Sequence, residues 1–87
     1  MNTVEIVECA DDAALCRALE AGNGWVIALG RQADGTLEDA LIVRNRESGF
    51  LAAVPVAEVD RIAGGLPFQV AGAMRDAAAR IRTEGAE

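Results

Sequence analysis

The feature that most constrains this chain is a run of three apolar segments separated by two glycine-containing turns, between Trp25 and Val56. The first turn contains Asp34-Gly35, and the second ends in Ser48-Gly49. Glycine adopts a positive φ angle without steric cost, which tight turns between paired strands require. Pro55 has no backbone N–H to donate and therefore ends the third segment. The pattern predicts a three-stranded antiparallel meander.

Both faces of this meander are apolar. Side chains alternate along a strand, so Trp25, Ile27 and Leu29 share one face, whereas Val26 and Ala28 share the other. A sheet that is apolar on both sides needs two covers. The second cover is either a helix of the same chain or a partner chain, and the sequence leaves both alternatives open.

The segments outside the meander predict one further strand and three helices. An alternating segment opens the chain, and Asp11-Asp12 offers an N-cap to a helix with an apolar stripe. Gly22-Asn23-Gly24 ends that helix, Gly64-Gly65 ends a second one, and Pro67 suits the first turn of a third. The predicted extents are 3–8 for the strand and 13–21, 56–63 and 67–82 for the helices.

Together these segments predict an α+β fold with the order β-α-β-β-β-α-α. We expect a small antiparallel sheet, in which the N-terminal strand joins the meander, with helices packed on it. At 87 residues the chain is long enough for one domain with its own core, so residues 1–87 form a single domain. We expect residues 82–87 to be a frayed tail.

The sequence contains no His and no Tyr, and all eight of its basic residues are Arg. The absence of His excludes Ser-His and Cys-His nucleophile pairs, and the absence of Lys excludes Schiff-base chemistry. Two cysteines without His cannot complete a zinc site within one chain. We therefore predict a protein that is not an enzyme and has no catalytic residue, metal site or cofactor. An enzyme that uses a lone Cys or carboxylates is the last of our hypotheses.

Two further features have a chemical and a plain interpretation. Cys9 and Cys16 flank the start of the first helix, where a helix N-terminus can lower the pKa of a thiol. Asp11 and Asp12 would oppose a thiolate there, so we favour two small buried hydrophobic side chains. Gly64-Gly65 precedes a helix whose free amides can hold an anion, but a simple turn between helices is the favoured interpretation.

The net charge of −6 constrains the partners of the chain. So acidic a protein is repelled by phosphate backbones and by anionic membrane surfaces. The start of the chain lacks the features of a signal peptide, and its longest apolar run, 50–57, is far below the ~20 residues of a membrane span. We predict a cytoplasmic protein that binds neither nucleic acid nor membrane directly and whose partner is another protein with a basic surface.

A candidate interface combines aromatic, acidic and basic residues. Its members are Trp25, Glu38, Asp39, Arg44, Arg46 and Glu47. Trp25 is favoured as a core residue, and would anchor an interface if it pointed outward. Arg44 and Arg46 share a strand face, and with Arg31 across the hairpin they would form a patch that binds a carboxylate or a phosphate. Solvated ion pairs with neighbouring acidic residues are the favoured alternative for these arginines.

The functional prediction follows from the charge, the apolar sheet and the missing catalytic groups. We expect a small acidic protein that acts by protein–protein binding, such as an inhibitor that occupies a basic surface of its target. Anti-CRISPR, immunity and antitoxin proteins of bacteria and phages are similar in size and charge. In that role Glu38, Asp39 and Glu47 would stand in for phosphates. The alternative is a homodimeric module with a structural or small-ligand-binding role.

Overall fold

The computed structural model describes residues 4–21 and 24–85 and has the predicted α+β fold and order of elements. Two of the three residues predicted to end the first helix, Gly22 and Asn23, lie outside this range. A 3₁₀ turn, Val56–Glu58, begins the segment predicted as the second helix. The other elements are β1 (Val4–Cys9), α1 (Asp12–Ala21), β2 (Trp25–Arg31), β3 (Leu37–Asn45), β4 (Phe50–Pro55), α2 (Val59–Ala63) and α3 (Phe68–Gly85).

The described residues form one four-stranded sheet in the order β1-β2-β3-β4. The strands of the predicted meander are antiparallel, with Ile27 opposite Val43 and Val43 opposite Ala52. β1 pairs with β2 in parallel, so the sheet as a whole is mixed. The parallel pairing arises because α1 returns the chain to the end of the sheet where β1 began.

The two turns of the meander contain the glycines that the sequence predicts. Gly35 has a φ of 90° and Gly49 has a φ of 79°, in the left-handed region that other residues avoid. The side-chain oxygen of Asn45 accepts hydrogen bonds from the backbone N–H groups of Glu47 at 2.9 Å and Ser48 at 3.3 Å. This local bonding is typical of Asn in turns and fixes the β3–β4 connection.

The first turn is held by a similar device. The hydroxyl of Thr36 donates to the Asp34 carboxylate at 2.7 Å, and the Thr36 N–H donates to the same oxygen at 3.0 Å. Both bonds favour the ionised carboxylate and hold the pKa of the Asp34 carboxyl below its ordinary value. The bond from the hydroxyl has the larger effect. The hairpin between β2 and β3 is therefore fixed by its own sequence.

The core lies between one face of the sheet and the two C-terminal helices. Odd-numbered side chains of β2 and β3 and even-numbered ones of β4 point toward it. α3 contributes a stripe of buried side chains at helical spacing. The largest fully buried side chains of this core are those of Ile27, Leu29, Leu41, Val43, Val54, Val59, Val70 and Met74.

α3 is longer than the sequence predicts. It continues through Gly85, so residues 82–85 of the expected frayed tail are helical, while Ala86 and Glu87 lie outside the described residues. The apolar stripe extends to the buried Ile81, and the Glu84 carboxylate accepts a hydrogen bond from Arg31 at 3.2 Å. These contacts hold the last turns on the sheet. Within residues 4–21 and 24–85, no helix has the length and apolar character that a membrane crossing requires.

Candidate protein-binding surface

The second face of the sheet is covered over half of its width. α1 packs on β1 and β2, where Val26, Ala28 and Cys9 are fully buried outside the main core. The Arg46 guanidinium donates to the backbone carbonyl of Glu20, which places α1 on the side of the even-numbered β3 residues. The right-handed crossover expected between parallel neighbours brings α1 over these two strands.

No described element covers the other half, which belongs to β3 and β4. Three cross-strand pairs lie there side by side, Ala40 with Pro55, Ile42 with Ala53 and Arg44 with Leu51. Leu51 exposes 55% of its surface, the other β4 members are exposed, and the β3 members are half-buried. We call this surface the open strip, and its members are Ala40, Ile42, Arg44, Leu51, Ala53 and Pro55.

The helix beside the open strip is itself incompletely buried. Within 12–20, the part of α1 whose side chains the structure describes, Leu15 and Leu19 are only half-buried, as are Ala14 and Ala18. α3 on the opposite face buries several side chains completely. A single helix cannot cover all four strands, and the side of α1 that points toward β3 has no second helix packed beside it among the described residues. That side of the helix, its flank, therefore stays exposed. The open strip and the flank of α1 thus form one continuous, incompletely covered surface.

Arg44 is the cationic residue of the open strip. Its Nε atom is buried and has no hydrogen-bond partner among the described residues, where Arg44 also forms no ion pair. A buried donor without a partner costs about 1–3 kcal/mol, because its hydration is lost and not replaced. The Arg44 guanidinium is therefore a cation of this surface that no described carboxylate neutralises.

The patch of three arginines, the less favoured of the two interpretations, does not form. Arg31 lies opposite Leu37, at the far end of β3 from Arg44 and Arg46. The arginines are separated because the antiparallel register sends the end of β2 to the start of β3. The Arg46 guanidinium donates to the carbonyl of Glu20. Of the three arginines, Arg44 is therefore the one that belongs to the open strip.

Arg31 instead organises a junction between distant parts of the chain. Its guanidinium donates to Glu8 at 2.7 Å, to Glu84 at 3.2 Å and to the backbone carbonyl of Gly35 at 2.7 Å. The pKa of the Arg31 guanidinium lies above its ordinary value, chiefly because of the hydrogen bond with Glu84. The bond with Glu8 raises this pKa as well. Sequence reasoning missed this junction, because only the parallel β1–β2 pairing brings Glu8 beside Arg31.

The acidic candidates are not gathered in one place. Glu38 and Asp39 lie at the start of β3, and Glu47 lies in the turn after its end. Seven residue steps, roughly 24 Å of strand, separate Glu38 from Asn45. The carboxyl group of Glu38 lies near Gly30, whereas Asp39 borders a groove with Pro55 and Arg82. The three carboxylates cannot imitate neighbouring phosphates at a single site.

Trp25 lies in the core, the position that the sequence favours. It exposes 8% of its surface, and its ring packs against that of Phe50 with centroids 5.6 Å apart. The aromatic residue on the surface is Phe68, which is 91% exposed at the start of α3 and borders a groove with Val4, Ile6 and Gly72. The sequence did not indicate that Phe68 is exposed, because an aromatic residue just before the apolar stripe of α3 could equally well be buried.

The remaining chemical candidates are engaged or remote from one another. Glu58 forms an ion pair with Arg61 at 2.6 Å. The N–H groups of Gly64 and Gly65 donate to the carbonyls of Asp60 and Ile62, as in the simple turn between helices that the sequence favours. Among the described residues, no three His, Cys, Asp or Glu side chains come together in a way that would hold a metal ion.

The two thiols differ in exposure, and we expect them to differ in reactivity. Cys9 is buried as predicted, whereas Cys16 is exposed, contrary to the prediction. Burial and, secondarily, the charge of Asp11 raise the pKa of the Cys9 thiol. At protein concentrations low enough to keep the chain monomeric, a disulfide reagent should label Cys16 at least about 100-fold faster than Cys9, because Cys9 is buried and its raised pKa lowers the fraction of reactive thiolate. Mass spectrometry of labelled peptides measures both rates, and Cys16→Ser should abolish the fast phase. Equal rates in native buffer would contradict the burial of Cys9.

No protein-family model, curated protein or solved structure matches this chain.

Proposed function

We propose that this protein is not an enzyme and that it acts by binding another polypeptide chain through the open strip. The observation that supports this most is the incomplete cover of the sheet, with Leu51 55% exposed beside an Arg44 whose buried Nε lacks a partner among the described residues. Contiguous apolar surface rimmed by polar groups is characteristic of interaction sites in soluble proteins.

The composition of the strip suits a protein partner. Five of its members are apolar, and they lie in two adjacent rows on paired strands. Removing apolar surface from water contributes roughly 25 cal/mol per Å², so burial of the two rows would favour binding. Hydrogen bonds from Arg44 would fix the orientation of the partner. Interfaces are enriched in arginine and in buried apolar side chains at their centre.

An inhibitor of a protein with a basic surface is the role that the charge supports. A net charge of −6 favours such a partner and speeds its association at low salt. Since Glu47 lies at the opposite end of β3 from Glu38 and Asp39, such a partner would be held by the overall field of the protein. The apolar strip would then provide contact that salt does not screen.

A capture experiment with matched variants tests the binding role. Ala53 lies on the open strip, and Ala79 lies on the exposed side of α3, so Ala53→Asp and Ala79→Asp make the same change at two sites. Each immobilised variant is incubated with a lysate of the host that also contains isotope-labelled copies of this chain. Mass spectrometry then compares the captured proteins after low-salt and high-salt washes.

We expect one protein to be captured stoichiometrically by the wild type and by Ala79→Asp, and to be recovered at least about tenfold less with Ala53→Asp, because a carboxylate in an apolar interface loses its hydration. A captured basic protein that is lost at high salt would support the inhibitor role. Labelled copies of this chain as the captured protein would support the homodimeric module. Equal recovery by all three chains would contradict binding through the open strip.

A further inference from the structure

We propose that the open strip is occupied by helix α1 of a second copy of this chain, in a symmetric dimer. This inference rests on the proposed function, because it names a second copy of the chain, in place of a basic protein, as the partner of the same surface. Its support is the shape of the half-covered face and the position of two opposite charges on it.

The half-covered face fits a copy of itself. α1 lies over β1 and β2, and the open strip lies over β3 and β4. Two strands are about 10 Å wide, a helix is about 10 Å across, and packed layers lie about 10 Å apart. A two-fold axis parallel to the strands, above the boundary of β2 and β3, therefore places each α1 over the open strip of the other copy. The result has three layers, with both α1 helices between the two sheets.

The charges match in this arrangement. An axis parallel to the strands leaves positions along the strands unchanged. The bond between Arg46 and the Glu20 carbonyl places Glu20 at the Asn45 end of β3, which is also where Arg44 lies. Glu20 of one copy is therefore level with Arg44 of the other.

The direction of the Glu20 side chain also fits. At about 100° per residue, Glu20 is about 140° from Leu15 and about 160° from Ala18, two of the half-buried residues of α1. Its carboxylate thus points away from that sheet and toward the sheet of the second copy. Because Glu20 forms no ion pair among the described residues, both carboxylates are available to the two Arg44 guanidinium groups.

The flank of α1 supplies the contact at the axis. In a right-handed crossover, Cys16 and Leu19 lie on the side of α1 nearer to β3. The two-fold axis brings this flank against the same flank of the second copy. Exposed Cys16 and half-buried Leu19 would then lie between the two helices, whose axes pack about 8–10 Å apart.

Complementary charge reversal tests the arrangement. Glu20→Arg alone places two arginines opposite each other, and Arg44→Glu alone places two glutamates opposite each other. A mixture of the two variants restores both attractive pairs in a heterodimer. The mass of each sample is measured by sedimentation equilibrium from about 1 to 200 μM, against a chain mass of 9.1 kDa. Circular dichroism confirms that each variant is folded.

We expect the wild type to dimerise, each variant alone to bind itself at least about tenfold more weakly, and the mixture to recover most of the wild-type affinity. A short bismaleimide should also join two wild-type chains through Cys16, and Cys16→Ser should not be joined. A wild-type monomer at 200 μM overturns the inference, as does a dimer whose affinity ignores the charge reversals or that the reagent does not join.

The outcomes separate this inference from the proposed function. A monomeric wild type that captures a different protein, and loses it with Ala53→Asp, leaves the binding role intact and removes only the second copy as occupant. A wild type that neither dimerises nor captures any protein through the open strip contradicts both.

Discussion

Leu41→Ala is expected to lower the free energy of unfolding by about 2–5 kcal/mol, whereas Leu51→Ala should change it by no more than about 0.5 kcal/mol. The two residues lie on neighbouring strands but point to opposite faces of the sheet. Leu41 has no exposed surface, so its truncation leaves a cavity among core side chains that cannot fully collapse. Leu51 is mostly exposed and leaves no cavity.

Urea unfolding followed by the fluorescence of Trp25 measures both changes, at protein concentrations low enough to keep the chain monomeric. For a domain of this size, Leu41→Ala should lower the midpoint of thermal unfolding by at least about 10 °C. Similar losses for the two variants would show that the β3–β4 face is covered in solution, or that the sheet is assigned the wrong inner face.

Gly49→Ala and Gly72→Ala are expected to change stability in opposite directions, although the substitution is the same. Gly49 has a φ of 79°, where an added Cβ meets the following carbonyl, so alanine should cost about 1–2 kcal/mol. Gly72 lies inside α3, and a Cβ there meets nothing within 4 Å. Alanine loses less conformational entropy than glycine on entering a helix, so Gly72→Ala should stabilise the protein by about 0.5–1 kcal/mol.

Chemical denaturation of the two variants beside the wild type gives the sign and size of each change. Gly49→Asn provides a control, since asparagine adopts positive φ more readily than alanine and should recover part of the loss. A Gly49→Ala variant as stable as the wild type would mean that the turn adopts another conformation in solution.

The parts of the fold that local chemistry determines were predictable from the sequence. Gly35 and Gly49 mark the turns because few other residues adopt their backbone angles, and Pro55 ends β4 for lack of an N–H. The order of elements follows from the periodicity of the apolar residues between such signals. These signals do not depend on the rest of the chain.

The features of the candidate site depend on the arrangement of the strands, which local signals do not determine. The sequence showed that both faces of the meander are apolar, but not that α1 covers β1 and β2 only. That outcome follows from the parallel pairing of β1. The antiparallel register of β2 and β3 in turn separates Arg31 from Arg44. Phe68 illustrates the same limit, because its exposure depends on where α3 crosses the sheet.

The junction at Arg31 also has a kinetic consequence. It joins residues that are 23 and 53 positions apart along the chain, so each bond requires a distant segment, the end of β1 or the end of α3, to have reached the end of β2. Contacts that close such long loops tend to form late, after the hairpins of the meander. We therefore expect these bonds to be absent from the transition state for folding. Their contribution would then lie in slower unfolding, which lengthens the lifetime of the native state without changing how fast it is reached.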